Sequence, residues 1–312
     1  MMMAQSSQSL RIGTRGSPLA LAQARAVARL LSSAAKVAPE TVKLEVIRTT
    51  GDIIRDRPLA EAGGKGLFTK EIDEALLTGA VDLAVHSAKD MPTVLPAGLH
   101  IAAVPPREDA RDVFISRNAQ SLQDLPAGSK IGTSSLRRQA LIKRLRPDLV
   151  VVNLRGNVET RLRKLDQNAA DATLLALAGL NRLGLTDVAT ALLDVHEFPP
   201  AVGQGIIAVV ARSEDERMSR LLDVLTHGPT ADALAAERAF LAVLDGSCRT
   251  PIAGHARVAD GHLHFHGLIA RPDGSMVFEI EREGPAHDAV VIGAEAGREL
   301  KLRAGSKFFG PS

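Results

Sequence analysis

Three turns in this chain place arginine where an anion would be received. They are Thr14-Arg15-Gly16-Ser17, Gly132-Thr133-Ser134-Ser135 leading to Arg137 and Arg138, and Leu154-Arg155-Gly156-Asn157 with Arg161 one turn on. Each follows a short apolar run and precedes a helical pattern, so each would end a strand and open a helix. A helix N-terminus offers unpaired N–H groups and the positive end of a dipole. Glycine allows close approach, Ser and Thr add hydroxyl donors, and Arg clamps a carboxylate or phosphate through two parallel bonds. Taken singly, each turn is an ordinary helix cap. Three on successive strand ends converge on one crevice in an open α/β sheet. None has the P-loop spacing, so phosphoryl transfer is not indicated, and separate clamps suit a ligand bearing several carboxylates.

A fourth candidate is His86-Ser87-Ala88-Lys89-Asp90, which follows the apolar run Val81–Val85. An Asp beside a Lys is most often a local ion pair. At a strand end lining the same crevice, the two would stabilise a cation and bind an anion side by side. Cys248 lies in Asp245-Gly246-Ser247-Cys248-Arg249 just past a helix pattern and is the one cysteine of the chain. Small and basic neighbours point to an exposed loop with a reactive thiol, although no pattern ties it to a base. In His262-Leu263-His264-Phe265-His266, strand alternation puts three histidines on one face and Leu and Phe on the other. With no thiolate or carboxylate cluster nearby in sequence, a solvated histidine face over a buried Leu/Phe face explains the run, and no metal is expected.

The elements that must position these groups alternate. Leu10–Thr14 reads as a strand, followed by a helix opened by Ser17 and Pro18 and running to Leu31, with Leu19, Ala22, Ala26 and Leu30 on one stripe. Val42–Thr49 and Val81–Val85 read as strands around a helix with Phe68, Ile72 and Leu76 at four-residue spacing, stopped by Gly79. The pattern returns with Lys130–Ile131, a helix from Ser134 or Ser135, Val150–Leu154, a helix from Asn157, and Thr173–Ala176. Such alternation implies parallel strands covered by helices. Proline pairs at 105–106 and 199–200 mark stiff crossings around a block of domain size, and Gly205–Ala211 could return to the first sheet. From about His227 the chain changes to a helix capped by Thr230, short strands with Asp-Gly turns at 260–261 and 273–274, and a last helix near Ala286–Leu302. That is an antiparallel α+β module.

The chain has 312 residues, 45% of them hydrophobic and 24% charged, which fits a globular protein of two or three domains. Its net charge is only +2, yet the segment Ser129–Lys164 holds ten Lys or Arg against two Asp or Glu. Trp and Tyr are absent, which argues against base-stacking recognition of single strands. No apolar run approaches membrane-span length and Met1–Leu10 is polar, so the expectation is a cytoplasmic protein with neither membrane nor nucleic-acid partner. Two other classes share part of the pattern. A solute-binding protein would use two similar lobes but would need a secretion signal, and a nucleic-acid binder would use the basic segment but lacks a known module.

The quoted turns, with Gly63-Gly-Lys-Gly-Leu-Phe68, Ala178-Gly-Leu-Asn-Arg-Leu-Gly184 and Pro200-Ala-Val-Gly-Gln-Gly205, resemble the porphobilinogen deaminase (hydroxymethylbilane synthase) family from about Leu10 to the last helix. The resemblance implies an α/β fold: two lobes like type-II periplasmic binding proteins, with mixed sheets, and a small α+β C-terminal domain. The corresponding boundaries are 9–105 with 201–224, then 106–200, then 225–312. It implies a transferase of tetrapyrrole and heme biosynthesis that joins four porphobilinogen molecules head to tail, with loss of ammonia, into hydroxymethylbilane. It also implies a monomer and a dipyrromethane cofactor held by a thioether to Cys248. Asp90 falls on the family's catalytic aspartate. Lys89, Ser87, Thr133, Ser135, Arg137 and Arg138 fall on cofactor-binding positions. Arg15, Ser17, Arg155, Gly156, Arg161, Arg182 and Gln204 fall on substrate-binding ones. Lys65 and Phe68 fall in a mobile loop. The departures are Glu61 where some members have Lys, Ser247 for a common Gly, and Ala88 for a larger residue.

Overall fold

The computed structural model describes residues 9–34, 36–53, 66–244, 250–305 and 308. Glu61, Lys65, Ser247 and Cys248, named above, lie outside them. In chain order the first lobe contains β1 (Leu10–Thr14), α1 (Pro18–Ala34), β2 (Val42–Val46), α2 (Thr50–Ile53), α3 (Lys70–Leu77), β3 (Leu83–Ser87) and β4 (Leu99–Ala103). The second contains β5 (Asp112–Ser116), β6 (Lys130–Gly132), α4 (Leu136–Leu145), β7 (Val150–Val152), α5 (Val158–Asp166), β8 (Ala172–Ala176), α6 (Leu177–Leu183) and β9 (Ala191–Leu192). The chain then returns through β10 (Ile207–Arg212) and α7 (Glu216–Asp223).

Both sheets are mixed and built alike, in the orders β2-β1-β3-β10-β4 and β7-β6-β8-β5-β9. Three neighbouring strands run parallel in each. The strand delivered by each crossing then inserts antiparallel: β10 between β3 and β4, and β5 between β8 and β9. Strands covered on both faces must be apolar throughout. Ile207–Ala211 and Val113–Ile115 are accordingly buried to the last residue.

Local signals explain the helix starts. Ser17, Ser135 and Asn157 each accept a hydrogen bond from the backbone N–H three residues on, opening α1, α4 and α5. Two expectations shift. The buried stripe of α1 is Ala20, Gln23, Ala24, Val27 and Leu31, while Leu30 is 37% exposed. The first turn of α1 faces a cavity, which Leu19 lines, so Leu19 belongs to that cavity and the sheet-facing stripe starts at Ala20. The strand expected at Val81–Val85 runs Leu83–Ser87, which carries His86 and Ser87 into the sheet.

The C-terminal module contains α8 (Gly228–Val243), β11 (Ile252–Ala259), β12 (His262–Ala270), β13 (Val277–Pro285) and α9 (Ala289–Ala304). Thr230 does not cap α8. The helix has already begun at Gly228–Pro229, where proline presets the first turn. The Thr230 hydroxyl instead meets His227 Nδ1 and accepts from the Arg107 N–H. β11–β12–β13 form an antiparallel meander whose first turn, Asp260–Gly261, has positive φ at both residues, as a tight hairpin requires. Leu263, Phe265, Phe240 and Ile292 fill the core between sheet and helices.

Both crossings are tied to this module by one buried ion pair. Arg107 Nη1 donates to Glu237 Oε1 at 2.5 Å, and its Nε donates to the Gln204 carbonyl at 2.9 Å. Glu237, fully buried in α8, also accepts from the Gly203 N–H at 2.6 Å and the Ala256 N–H at 2.8 Å. One carboxylate thus holds the first crossing, the second crossing, α8 and β11. Among the described residues no helix is long and apolar enough to cross a membrane.

Helices α8 and α9 approach closely enough to need glycine. A Cβ on Gly293 would lie 2.0 Å from the Ala236 carbonyl oxygen. We therefore expect Gly293→Ala to force the helices apart and cost about 1–3 kcal/mol, measured by chemical denaturation. Gly228→Ala, whose Cβ would meet nothing within 4 Å, should stay within about 0.5 kcal/mol of wild type. Equal behaviour of the two would contradict the close contact.

Candidate active site

The arginine-bearing turns occupy the C-terminal ends of the parallel strands in both lobes, and those ends face one another. Helices α1 and α6, which follow β1 and β8, approach across the crevice, where a Cβ on Gly179 would lie 3.6 Å from Leu19 Cδ2. Strand ends of two sheets therefore line one cleft.

On the first-lobe side, Arg15 leaves β1 and is fixed from two directions. Its guanidinium pairs with Asp52 at 2.5 Å and lies over the Phe68 ring, 4.1 Å from the centroid. Burial would raise the Asp52 carboxyl, but bonds from Arg15 and Thr49 hold it below the usual range. Arg15, Ser17, Leu19, Gln23, Phe68, His86, Ser87 and Asp90 line one cavity. Within it Gln23 Nε2 and the Ser87 hydroxyl are 2.8 Å apart. His86 is buried, and desolvation followed by the charge of Arg15 pulls its pKa to about 4, so the ring is neutral near pH 7. Asp90 and Lys89 sit on a single 3₁₀ turn at the end of β3.

The second-lobe side is organised by Asp112, at the start of β5 and fully buried. Its two oxygens accept one bond each from Arg137 Nη2 and Arg138 Nη2, both at 2.7 Å. The remaining terminal nitrogens donate to the carbonyls of Pro199 and Leu174. Burial alone would raise the Asp112 carboxyl, but the two guanidiniums hold it far below the usual carboxylate range. Gln204 donates to Asp112 Oδ1 at 3.0 Å and turns its own oxygen toward Lys89 Nζ at 3.4 Å. Lys89 keeps surface open to the crevice, yet its ammonium is enclosed closely enough that desolvation draws its pKa down to about 8. It is cationic at neutral pH and loses its charge as pH rises past that value.

Arg161 completes the ring. Its Nε donates to the Gly156 carbonyl at 2.9 Å, and desolvation lowers its pKa to about 10 while Arg138, Asp90 and Arg155 act on its charge. Gly156 has φ +128°, a backbone open to glycine and few others. Lys89, Arg137, Arg138, Arg155 and Arg161 outnumber Asp90 and Asp112; Arg137 and Arg138 are buried, and Lys89, Arg155 and Arg161 keep surface open to solvent.

Several of the expected residues also hold the frame around the crevice. Gln204 is fully buried and acts through Lys89 and Asp112. The Thr133 and Ser135 hydroxyls each accept from a backbone N–H of the turn that opens α4 and keep their own O–H to donate. Arg182 braces the second crossing, donating to the Gly205 carbonyl at 2.7 Å. Four residues without an expected role join the site: Gln23, Asp52, His86 and Asp112. Gln23 could have been suspected because it interrupts the apolar stripe Ala20–Ala24–Val27–Leu31. Asp112 has no comparable signal, since an acid before Val113-Phe114-Ile115 looks like any turn residue.

Comparison with known proteins bears on this arrangement. A family model described as porphobilinogen deaminase, dipyromethane cofactor binding domain, matches residues 10–220, and a second, the porphobilinogen deaminase C-terminal domain, matches residues 231–302. Porphobilinogen deaminases of Nitrobacter hamburgensis and Nitrobacter winogradskyi are 61% and 60% identical over 298 residues, covering 96% of this chain and 94% of theirs. Among solved structures, the methionine-binding protein MetQ aligns with 70% of this chain and 91% of its own at 13% identity and TM-score 0.45.

Removing the charge of Asp112 would leave two buried guanidiniums without their counterion. Asp112→Asn should cost about 3–5 kcal/mol, measured by chemical denaturation. The native carboxyl lies below its unfolded value, so its stabilisation is complete above about pH 4 and lost only as pH falls through the lower folded value. The gap between wild type and variant should therefore be flat from about pH 5 to 8 and close in strong acid. A gap that opens or closes between pH 5 and 8 would contradict the assignment.

Proposed function

The chain belongs to the porphobilinogen deaminase family, and on that premise we propose which of its residues carry the condensation of porphobilinogen into a linear tetrapyrrole. The observation that supports the reading best is Asp90, a carboxylate lining a cavity with Arg15 and standing one residue from Lys89 in a ring of arginines.

The residues suit the family's dipyrromethane cofactor. Each of its two pyrrole units carries an acetate and a propionate arm, so four carboxylates need partners. The buried Nε atoms of Arg137 and Arg138 have no hydrogen-bond partner, and Lys89 and Arg161 add cations with surface still exposed, a donor set that suits such a group. Arg137, Arg138 and Lys89 would hold it, with Ser87 beside them and Thr133 and Ser135 shaping the turn. When bound, the group supplies an electron-rich pyrrole carbon as the starting point for chain growth. We assign its thioether to Cys248, the one thiol of the chain. A thioether suits a permanent anchor because it resists hydrolysis and thiol exchange.

Arg15, Ser17, Arg155, Gly156 and Arg161 are the proposed anchors for the carboxylate arms of incoming substrate and growing product. Arg15 is held against Phe68, at the end of the segment that contains Lys65. Arg182 and Gln204 act from the crossing: Gln204 orients Lys89, and Arg182 fixes Gly205 next to it. Ammonia leaves the substrate's protonated aminomethyl arm with the C–N electron pair, leaving positive charge that the pyrrole nitrogen shares until the next ring's carbon bonds to that methylene and loses its proton to solvent. The Asp90 carboxylate stabilises that charge where it develops, by accepting from pyrrole N–H groups. It would do so more strongly once bound substrate and cofactor displace water from the crevice.

The reading includes the domain limits 9–105 with 201–224, 106–200 and 225–312. These bodies would shift about the two crossings as the chain lengthens. We further propose a monomer, because both sides of the described crevice come from one chain, and a cytoplasmic location.

Intact mass of the purified protein tests the reading. It should exceed the sequence mass by two linked pyrrole units, and Cys248→Ser should lack both the extra mass and activity. Arg138→Leu should purify largely without the group. Arg155→Leu should carry it but stall during elongation, each lost charge-assisted bond costing about 1.5–3 kcal/mol. An unmodified yet fully active wild type would overturn the Cys248 assignment, and normal loading and turnover in both arginine variants would overturn the division of roles.

A further inference from the structure

On the exposed end of the β12–β13 face opposite the Phe240–Phe265 core, strand pairing assembles a cluster that the sequence order hides. β12 runs antiparallel to β13 with His264 directly opposite Glu283. Alternation puts His262 on the same face, because Leu263 and Phe265 point into the core and are buried. One ligand atom from each of His262, His264 and Glu283 lies within 4.8 Å of the other two. His264 Nδ1 and Glu283 Oε2 are 3.3 Å apart. That is about the separation of two ligands bound to one tetrahedral ion with metal–ligand distances of about 2.0–2.1 Å.

We propose that His262, His264 and Glu283 form a peripheral site for a divalent transition metal, of which zinc is the natural probe. Two imidazoles and a carboxylate suit zinc and its late first-row neighbours and disfavour magnesium and calcium, which take all-oxygen shells. The positions are set by two strands of a packed sheet, and all three side chains are exposed. Their rings and carboxylate can turn the remaining distance, with water completing the shell. Arg257 pairs opposite His264 on the β11 side and leaves that flank without a further ligand. The site would cross-link β12 to β13, so the metal would stabilise the folded module by mass action.

The test uses untagged holoenzyme stripped of metal and titrated with zinc by calorimetry and by thermal unfolding. Wild type should bind one zinc and melt at higher temperature with it, while magnesium does neither. His264→Ala and Glu283→Gln should each weaken zinc binding by at least about tenfold, with metal-free activity unchanged. His266→Ala, on the same face two residues on but outside the cluster, should bind as wild type does. Cys248→Ser should also retain the zinc, which separates this site from the thiol. Absence of stoichiometric zinc binding, or equal binding by His264→Ala, would overturn the proposal.

Discussion

Two guanidiniums side by side on the first turn of a helix repel one another and would point apart unless something between them carried negative charge. Asp112 is that charge. Its oxygens take one bond from Arg137 and one from Arg138, and both arginines then reach carbonyls of the surrounding frame. A fully buried ion cluster of this kind is poor evidence for stability, because desolvation consumes much of the attraction. Its value is positional. It orients α4, couples that helix to the second crossing through Pro199, and reaches through Gln204 to Lys89 in the other lobe. Cations from both lobes thereby share one buried anion, and the surplus charge is left facing the crevice.

The crossings need the same kind of control. The chain passes between the lobes twice, from β4 to β5 and from β9 to β10. Glu237 binds the Arg107 side chain, the Gly203 N–H and the Ala256 N–H at once, so the crossings are tied to the C-terminal module. The module has a structural part in the crevice even though none of its described residues lines the Asp90 cavity.

What was legible in the sequence was local. Ser17, Ser135 and Asn157 advertise helix starts, and all three cap as their types predict. Ile207–Ala211 is too continuously apolar to be anything but a central strand. Residues whose partners are distant in sequence were harder to read. Asp112 finds its arginines some 25 positions away, and no local pattern announces it. Glu237 left a trace, since it shares the buried face of α8 with Ala233, Leu234 and Phe240, where a carboxylate needs a partner. Gln23 left a similar trace on α1. The functional turns were visible because anion recognition by helix termini is a short-range motif. The buried acids that aim them belong to the tertiary structure.

We propose that the negative charge of Asp90, and not its shape or a local pairing with Lys89, lowers the barrier in this crevice. Single-turnover rates on the cofactor-loaded fraction of Asp90→Asn and Asp90→Glu measure this directly. The Asn variant keeps the shape and loses the charge, so its rate should fall on the order of 10²–10³-fold. The Glu variant keeps the charge but displaces it by one methylene, and should retain a larger share of the activity. An Asn variant as fast as wild type would contradict the account and leave Asp90 as a structural neighbour of Lys89.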